Sequence, residues 1–309
     1  MMTDSLTTAI KLAVIFILLF MVPLGCTNGS GSGTSSLNSA LSANPVVDYS
    51  KFAKATTVCS PLNGASNLNP SPYITYANGL TGRVYSLNSG ATIPQNLAQQ
   101  FASSSDVGIN LFLNDLNVPT RLFSEGFPNA AGQLLADSNG NTLVEYFGIQ
   151  VSSSIQLTAT DAPGPYQLAL ISDDGSTLSV KTFGNNNYTT LINDDGTHPS
   201  KMTCASSPVT LSTYDQIPIQ VQYFQGPRYE IALMLMWRPW PKNAADVQDP
   251  LCGTEGNYQF FNPNVSPPTP QSNYQALLAR GWKPLLPTNY VIPELGFNPC
   301  VVPGYFTAQ

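Results

Sequence analysis

Histidine is almost missing: His198 is the only one in 309 residues. That single ring excludes HExxH and multi-histidine metal sites, and it argues against a Ser-His-Asp triad. There is no G-x-S-x-G elbow and no phosphate-binding glycine loop. Charge is scarce as well, at 10% of residues, with 12 basic against 18 acidic side chains and a net charge of −6. Such a surface repels phosphate backbones, and no basic stripe with interleaved aromatics relieves it, so nucleic acid is not an expected partner. None of the five cysteines forms a C-x-x-C pair, which excludes a zinc ribbon or a thioredoxin-like motif. Glycosidases need two carboxylates about 5–10 Å apart, and no signature here selects a pair. The chain is therefore not expected to be an enzyme.

What the chain does have is turn chemistry. Gly 23 and Pro 26, with many Ser, Thr and Asn, favour short strands joined by turns, and 42% hydrophobic residues are ample for a core. Ile217, Ile219, Val221 and Tyr223 alternate with Pro218, Gln220 and Gln222, the pattern of a half-buried strand. Ile231, Leu233, Leu235 and Trp237 alternate with Ala232, Met234 and Met236, which predicts a strand covered on both faces. Tyr166, Leu168 and Leu170 form another alternating run, and so do Ile155, Leu157 and Ala159. Acidic-glycine turns, Ser172-Asp173-Asp174-Gly175 and Asn193-Asp194-Asp195-Gly196, lie between β-rich runs. Near the C-terminus, Tyr274 to Arg280 reads as a helix stopped by Gly281.

At the other end, an apolar run from Leu12 to Met21 leads into Val22-Pro23-Leu24-Gly25-Cys26. A core of about ten residues fits an export signal and falls short of the roughly 20 that span a membrane. Leu-Gly-Cys at its end resembles the lipobox of bacterial lipoproteins, despite Pro23 within it and Asp4 upstream. The resemblance implies that residues 1–25 are removed and that Cys26 carries a lipid. An ordinary signal peptide cut nearby is the alternative. The Thr27 to Gly33 stretch reads as a flexible tether. The organisation expected is a signal peptide (1–25), then anchor, tether and extended arm (26–78). A β domain follows (79–240), and then a proline-rich extension with one short helix (241–309).

Gly79-Leu80-Thr81-Gly82, the run from Gly164 to Val180, Leu191 to Pro199 and Ile217 to Trp237 together resemble the protective-antigen-type ("PA fourteen") domain. The order is specific: a strand, S-D-D-G, a strand, D-G-x-H, then a Y-F-Q-G hairpin. The resemblance covers about half of the chain and implies an all-β sandwich that binds carbohydrate. It further implies that Asp173 and Asp174 hold a calcium ion that in turn binds sugar hydroxyls.

Calcium takes six to eight hard oxygen ligands, and two adjacent carboxylates cannot both face one ion across an ordinary trans peptide. A cis bond between them would allow it, with Gly175 giving the backbone freedom to turn. Against calcium stands the loop Gln225-Gly226-Pro227-Arg228, which has no Asn or Asp and carries a cation. The other reading makes the Asp pair a turn whose carboxylates cap local N–H groups. Asp194, Asp195 and Arg228 are neighbouring candidates, and Trp240 is a better stacking platform for a sugar than Trp237 or Trp282. His198 is expected to be bonded locally.

With Cys26 set aside, Cys59, Cys204, Cys252 and Cys300 make an even set for two disulfides in an oxidising compartment. The expected pairing, one of three possible, joins Cys252 to Cys300 and Cys59 to Cys204. Two functions stand side by side. One is a lipid-anchored, surface-exposed carbohydrate-binding or adhesion protein with a glycan or envelope component as partner. The other is a structural envelope lipoprotein whose sandwich packs against a protein.

Overall fold

The computed structural model describes residues 57–58, 78–127, 134–137, 139–181, 187–241, 243 and 248–292. All of them belong to one compact unit, Val47–Gln309. The lipobox at Cys26, the tether, Cys59 and Cys300 lie outside the described residues.

Two mainly antiparallel sheets make a sandwich. The first contains β1 (Thr57–Val58), β2 (Leu80–Leu87), β3 (Ser104–Leu113) and β5 (Phe147–Ile155). It is completed by β7 (Ser176–Val180), β8 (Thr189–Asp194), β11 (Ile217–Gln225) and β16 (Tyr290–Val291). Its order is β1-β3-β2-β5-β11-β7-β8, with β16 beside β5. The second contains β4 (Asn117–Leu122), β6 (Gly164–Asp173), β9 (Lys201–Cys204), β10 (Val209–Leu211), β12 (Glu230–Pro239) and β15 (Lys283–Pro284). Here β6 and β12 are central, flanked by β9, β10, β4 and β15. A small hairpin, β13 (Phe261–Asn262) with β14 (Thr269–Pro270), lies outside both sheets.

Alternation explains how the layers close. From β12, Ile231, Leu233, Leu235 and Trp237 enter the main core, with Tyr166, Leu168 and Leu170 of β6 and Ile219, Val221 and Tyr223 of β11. The opposite residues, Ala169, Ile171, Met234 and Met236, form a second core with Met202, Phe260, Phe261, Tyr274, Leu277 and Trp282. The extension after residue 240 is thus the lid that buries the outer face of the second sheet. It also adds β15 to β12 and β16 to β5.

The expected helix is present as α2 (Ser272–Ala279), and Gly281 follows it at φ 84°, the left-handed conformation a helix stop needs. The earlier α1 (Leu97–Ala102), which the sequence reading did not anticipate, is capped by the Asn96 side chain accepting from the Gln99 N–H. The alternating run at Ile155 to Ala159 is only partly strand, because β5 ends at Ile155. Asp161 Oδ2 accepts from both the Thr158 N–H and its hydroxyl, at 2.9 and 2.7 Å, closing a turn instead.

The expected disulfide pairing is corrected. Cys204 bonds to Cys252, not to Cys59, and so Cys252 is not joined to Cys300. The physical reason is the second core. Covering the outer face brings the Cys252 segment alongside β9, where the Gly253 N–H donates to the Met202 carbonyl at 2.6 Å and the Met202 N–H to the Thr254 carbonyl at 3.0 Å.

Candidate ligand-binding site

At one end of the sandwich β6 reaches the rim at Asp173, and the Asp173–Asp174 peptide is cis. Next to it the β11–β12 hairpin turns through Gly226 to Tyr229, where the Arg228–Tyr229 peptide is also cis. These segments and the loop before β9 enclose a cavity of about 300 Å³, with Asp173, Asp174, His198, Arg228, Tyr229 and Glu230 among its lining. Asn257, from the extension, completes the wall.

Asp174 ties the loops together. Its Oδ1 accepts from the His198 N–H at 3.1 Å and its Oδ2 from the Gly226 N–H at 2.7 Å. Gly226 allows this approach, because a Cβ there would sit 2.9 Å from Asp174 Oδ2. Gly175 is held as closely: a Cβ would meet the Gly196 nitrogen at 2.7 Å and its carbonyl oxygen at 2.8 Å. Its role is therefore close packing of two loops. Asp173 accepts from the Ser200 hydroxyl at 3.3 Å, and its backbone carbonyl takes the Tyr223 hydroxyl at 2.6 Å. Glu230 is 5% exposed and accepts from the Asn257 side-chain amide.

Three buried carboxyl groups line this cavity, and none of them is in an ion pair among the described residues, although His198 lies near Asp174. Burial first, then the charges of Asp174 and Glu230, push the Asp173 carboxyl up to about 8. Burial pushes Asp174 up to about 6, against hydrogen bonds from Gly226 and His198, and it raises Glu230 too. The basic side chains of this end are committed elsewhere. Lys201 pairs with Asp194 at 2.8 Å, and Arg228 pairs with Glu145 at 3.2 Å while lying 5.5 Å from the Phe123 ring centre.

Among the described residues no three His, Cys, Asp or Glu side chains are arranged to hold a metal unaided. The oxygen chemistry nevertheless fits a hard cation. Asp173 and Asp174 would supply carboxylates, with backbone carbonyls, water or ligand hydroxyls completing the six to eight positions calcium requires. The cation would also supply the positive charge that this cluster lacks.

Three other candidates, Asp194, Asp195 and Trp240, are not part of this cavity's lining. Asp194 is buried and holds Lys201, the Thr203 hydroxyl at 2.7 Å and the Ser172 hydroxyl at 3.3 Å. Asp195 accepts from the Leu97 N–H at 2.7 Å, at the start of α1. Trp240 follows the far end of β12, about 30 Å along the strand from Glu230 at 3.3 Å per residue. Its backbone N–H donates to the Pro165 carbonyl, and its side chain is half-buried. Trp237 and Trp282 are core residues. His198 is locally bonded, its ring nitrogens 2.9 Å from the Pro199 carbonyl and 3.1 Å from that of Asp194.

Three site residues escaped the sequence reading: Glu230, Asn257 and Tyr229. Tyr229 is 74% exposed at the cavity rim and presents a bare ring. Glu230 was legible in principle as the acid that closes the Y-F-Q-G hairpin. Asn257 carries no local signal, since its partner Ser200 is 57 residues away. A larger cavity of about 420 Å³ lies beside Arg238, Asp249 and Arg280. There Asp249 is already held by both guanidiniums, at 3.2 and 2.8 Å, so the smaller cavity is the stronger candidate.

No family model and no curated protein matches the chain. It is similar to several solved structures. One is a PA14 sugar-binding domain from an RTX adhesin, at 19% identity, covering 52% of this chain and 90% of that one, TM-score 0.37. A second is the A domain of Epithelial Adhesin 9 from Candida glabrata in complex with Galb1-3GlcNAc, at 13% identity, 62% and 90% coverage and TM-score 0.39. A third is the PA14 domain of an antifreeze protein, at 15% identity, 60% and 92% coverage and TM-score 0.34. The sandwich itself rests on the strand pairing described above.

Proposed function

We propose that this chain is a non-enzymatic carbohydrate-binding protein of the cell surface, and that the cavity at Asp173 and Asp174 is its binding centre. The observation that carries the reading is a cluster of three buried carboxyl groups in a cavity that opens beside an exposed tyrosine ring. A calcium ion held by the Asp pair would leave coordination positions for vicinal sugar hydroxyls. Tyr229 would offer a flat apolar face to the sugar ring. Arg228, 62% exposed on the same rim, binds Glu145 through Nε and would still have its Nη donors to offer a sugar hydroxyl. In this reading Cys26 carries the lipid that anchors the protein, and the tether behind it lifts the domain from the membrane. No helix among the described residues is long and apolar enough to cross a membrane.

A glycan array probed with the full chain, in calcium and then in chelator, tests the proposal. Binding to a defined set of glycans that disappears in chelator is expected. No binding in either condition rejects it.

A second reading has one observation in its favour. Both Asp174 oxygens already accept backbone N–H groups, as capping residues do. The chain would then be a structural envelope lipoprotein, its sandwich packed against a protein partner. That reading expects no change in melting temperature on adding calcium.

A further inference from the structure

The candidate cavity is not built by the sandwich alone. From the Cys204–Cys252 disulfide the chain runs antiparallel along β9 towards the cavity. The Gly253 N–H meets the Met202 carbonyl, the backbones of Lys201 and Glu255 form an antiparallel β-bridge, and the Gly256 N–H donates to the Ser200 carbonyl at 2.8 Å. Asn257 is the next residue, and its side chain faces two ways. Its Oδ1 accepts from the Ser200 N–H at 3.3 Å, and its Nδ2 donates to the Glu230 carboxylate. Ser200 in turn donates its hydroxyl to Asp173. One amide therefore links the walls that carry Asp173 and Glu230, and the disulfide five residues upstream in the chain fastens the segment that delivers it.

We infer that Asn257 is a positioning residue of the binding centre and that the Cys204–Cys252 disulfide acts on the centre through it. The inference rests on the calcium reading above. The contacts interlock: without Asn257, Glu230 loses the side-chain amide that holds it and the Ser200 N–H loses one of its acceptors, so the spacing of the carboxylates is less firmly set. Without the disulfide, the Gly253 to Gly256 run along β9 must hold Asn257 in place by backbone hydrogen bonds alone. The extension thus serves two ends, covering the second core and completing the cavity.

A double-mutant cycle on the full chain tests this, with the calcium ion alone as probe and calorimetry as readout. Asn257→Ala should weaken calcium binding about tenfold, which is about 1.4 kcal/mol. Cys204→Ser with Cys252→Ser should weaken it by a similar factor. Combined, the three substitutions should weaken it no further than Asn257→Ala does. Terbium luminescence adds a readout that a purely structural role would not move: the Asn257→Ala site should hold more water, seen as a shorter lifetime. Melting temperature, followed in parallel, should fall for the serine pair and little for Asn257→Ala. Additive losses, or unchanged calcium affinity and terbium lifetime in a folded Asn257→Ala variant, would overturn the inference and leave the calcium reading standing. Wild-type protein that takes up no calcium would overturn both.

Discussion

Asp173 shows how much of the site's chemistry lies in one side chain. It is 4% exposed, and it shares its cavity with two other carboxylates. Burial, then the fields of Asp174 and Glu230, raise it from 3.8 to about 8. Asp174 is raised from 3.8 to about 6, chiefly by burial. Both groups hold protons more tightly when folded than when unfolded. Their contribution to stability is therefore complete below the ordinary carboxylate range and is lost as pH rises through about 6 and then about 8. In chelator the melting temperature should fall between about pH 4 and about pH 8, and saturating calcium should flatten that fall by taking the protons' place. A chelator profile that stays flat or rises over this window would contradict the assignment. The Asp pair itself was visible in the sequence because the S-D-D-G turn is local. Glu230 and Asn257 were not, since a carboxylate's neighbours across a cavity come from tertiary packing.

Among the elements, β12 and the extension teach the most. The double alternation of Ile231 to Trp237 against Ala232 to Met236 announced a strand covered on both faces, and both cores confirm it. What covers the outer face was not legible, because Phe260, Phe261 and Trp282 lie in proline-rich sequence without a period of their own. The cysteine pairing failed for the same reason. Spacing along the chain does not reveal that residues 253–256 lie beside β9, whereas in the fold Cys204 and Cys252 stand at a Cα separation of 5.6 Å. The Asp249 hub fastens the extension further, accepting from Arg238, Arg280 and the Trp282 ring N–H at 2.9 Å. Replacing Cys204 and Cys252 together by Ser opens a loop with a separation of 48 residues. In the chain-entropy picture that should cost about 4 kcal/mol, read as a lower urea midpoint. A midpoint unchanged from wild type would show that the second core and the Asp249 hub hold the extension without it.

On the scale of the whole molecule, scaffold and site divide as sandwiches usually divide. The strands bury the apolar residues of both cores, and the polar rim gathers segments far apart in sequence: the Asp173–Gly175 turn, the His198 loop, the β11–β12 hairpin and Asn257. The resemblance seen in the sequence reached the sandwich and the Asp pair, and stopped where the extension begins. We propose this rim as a calcium-dependent binding centre. Calorimetric titration of calcium into the full chain, beside the Asp173→Asn, Asp174→Asn double variant, tests it most directly. The expected result is one saturable site in the wild type and none in a variant that still melts cooperatively in chelator. Equal calcium binding by the two proteins, or none by the wild type, would contradict it.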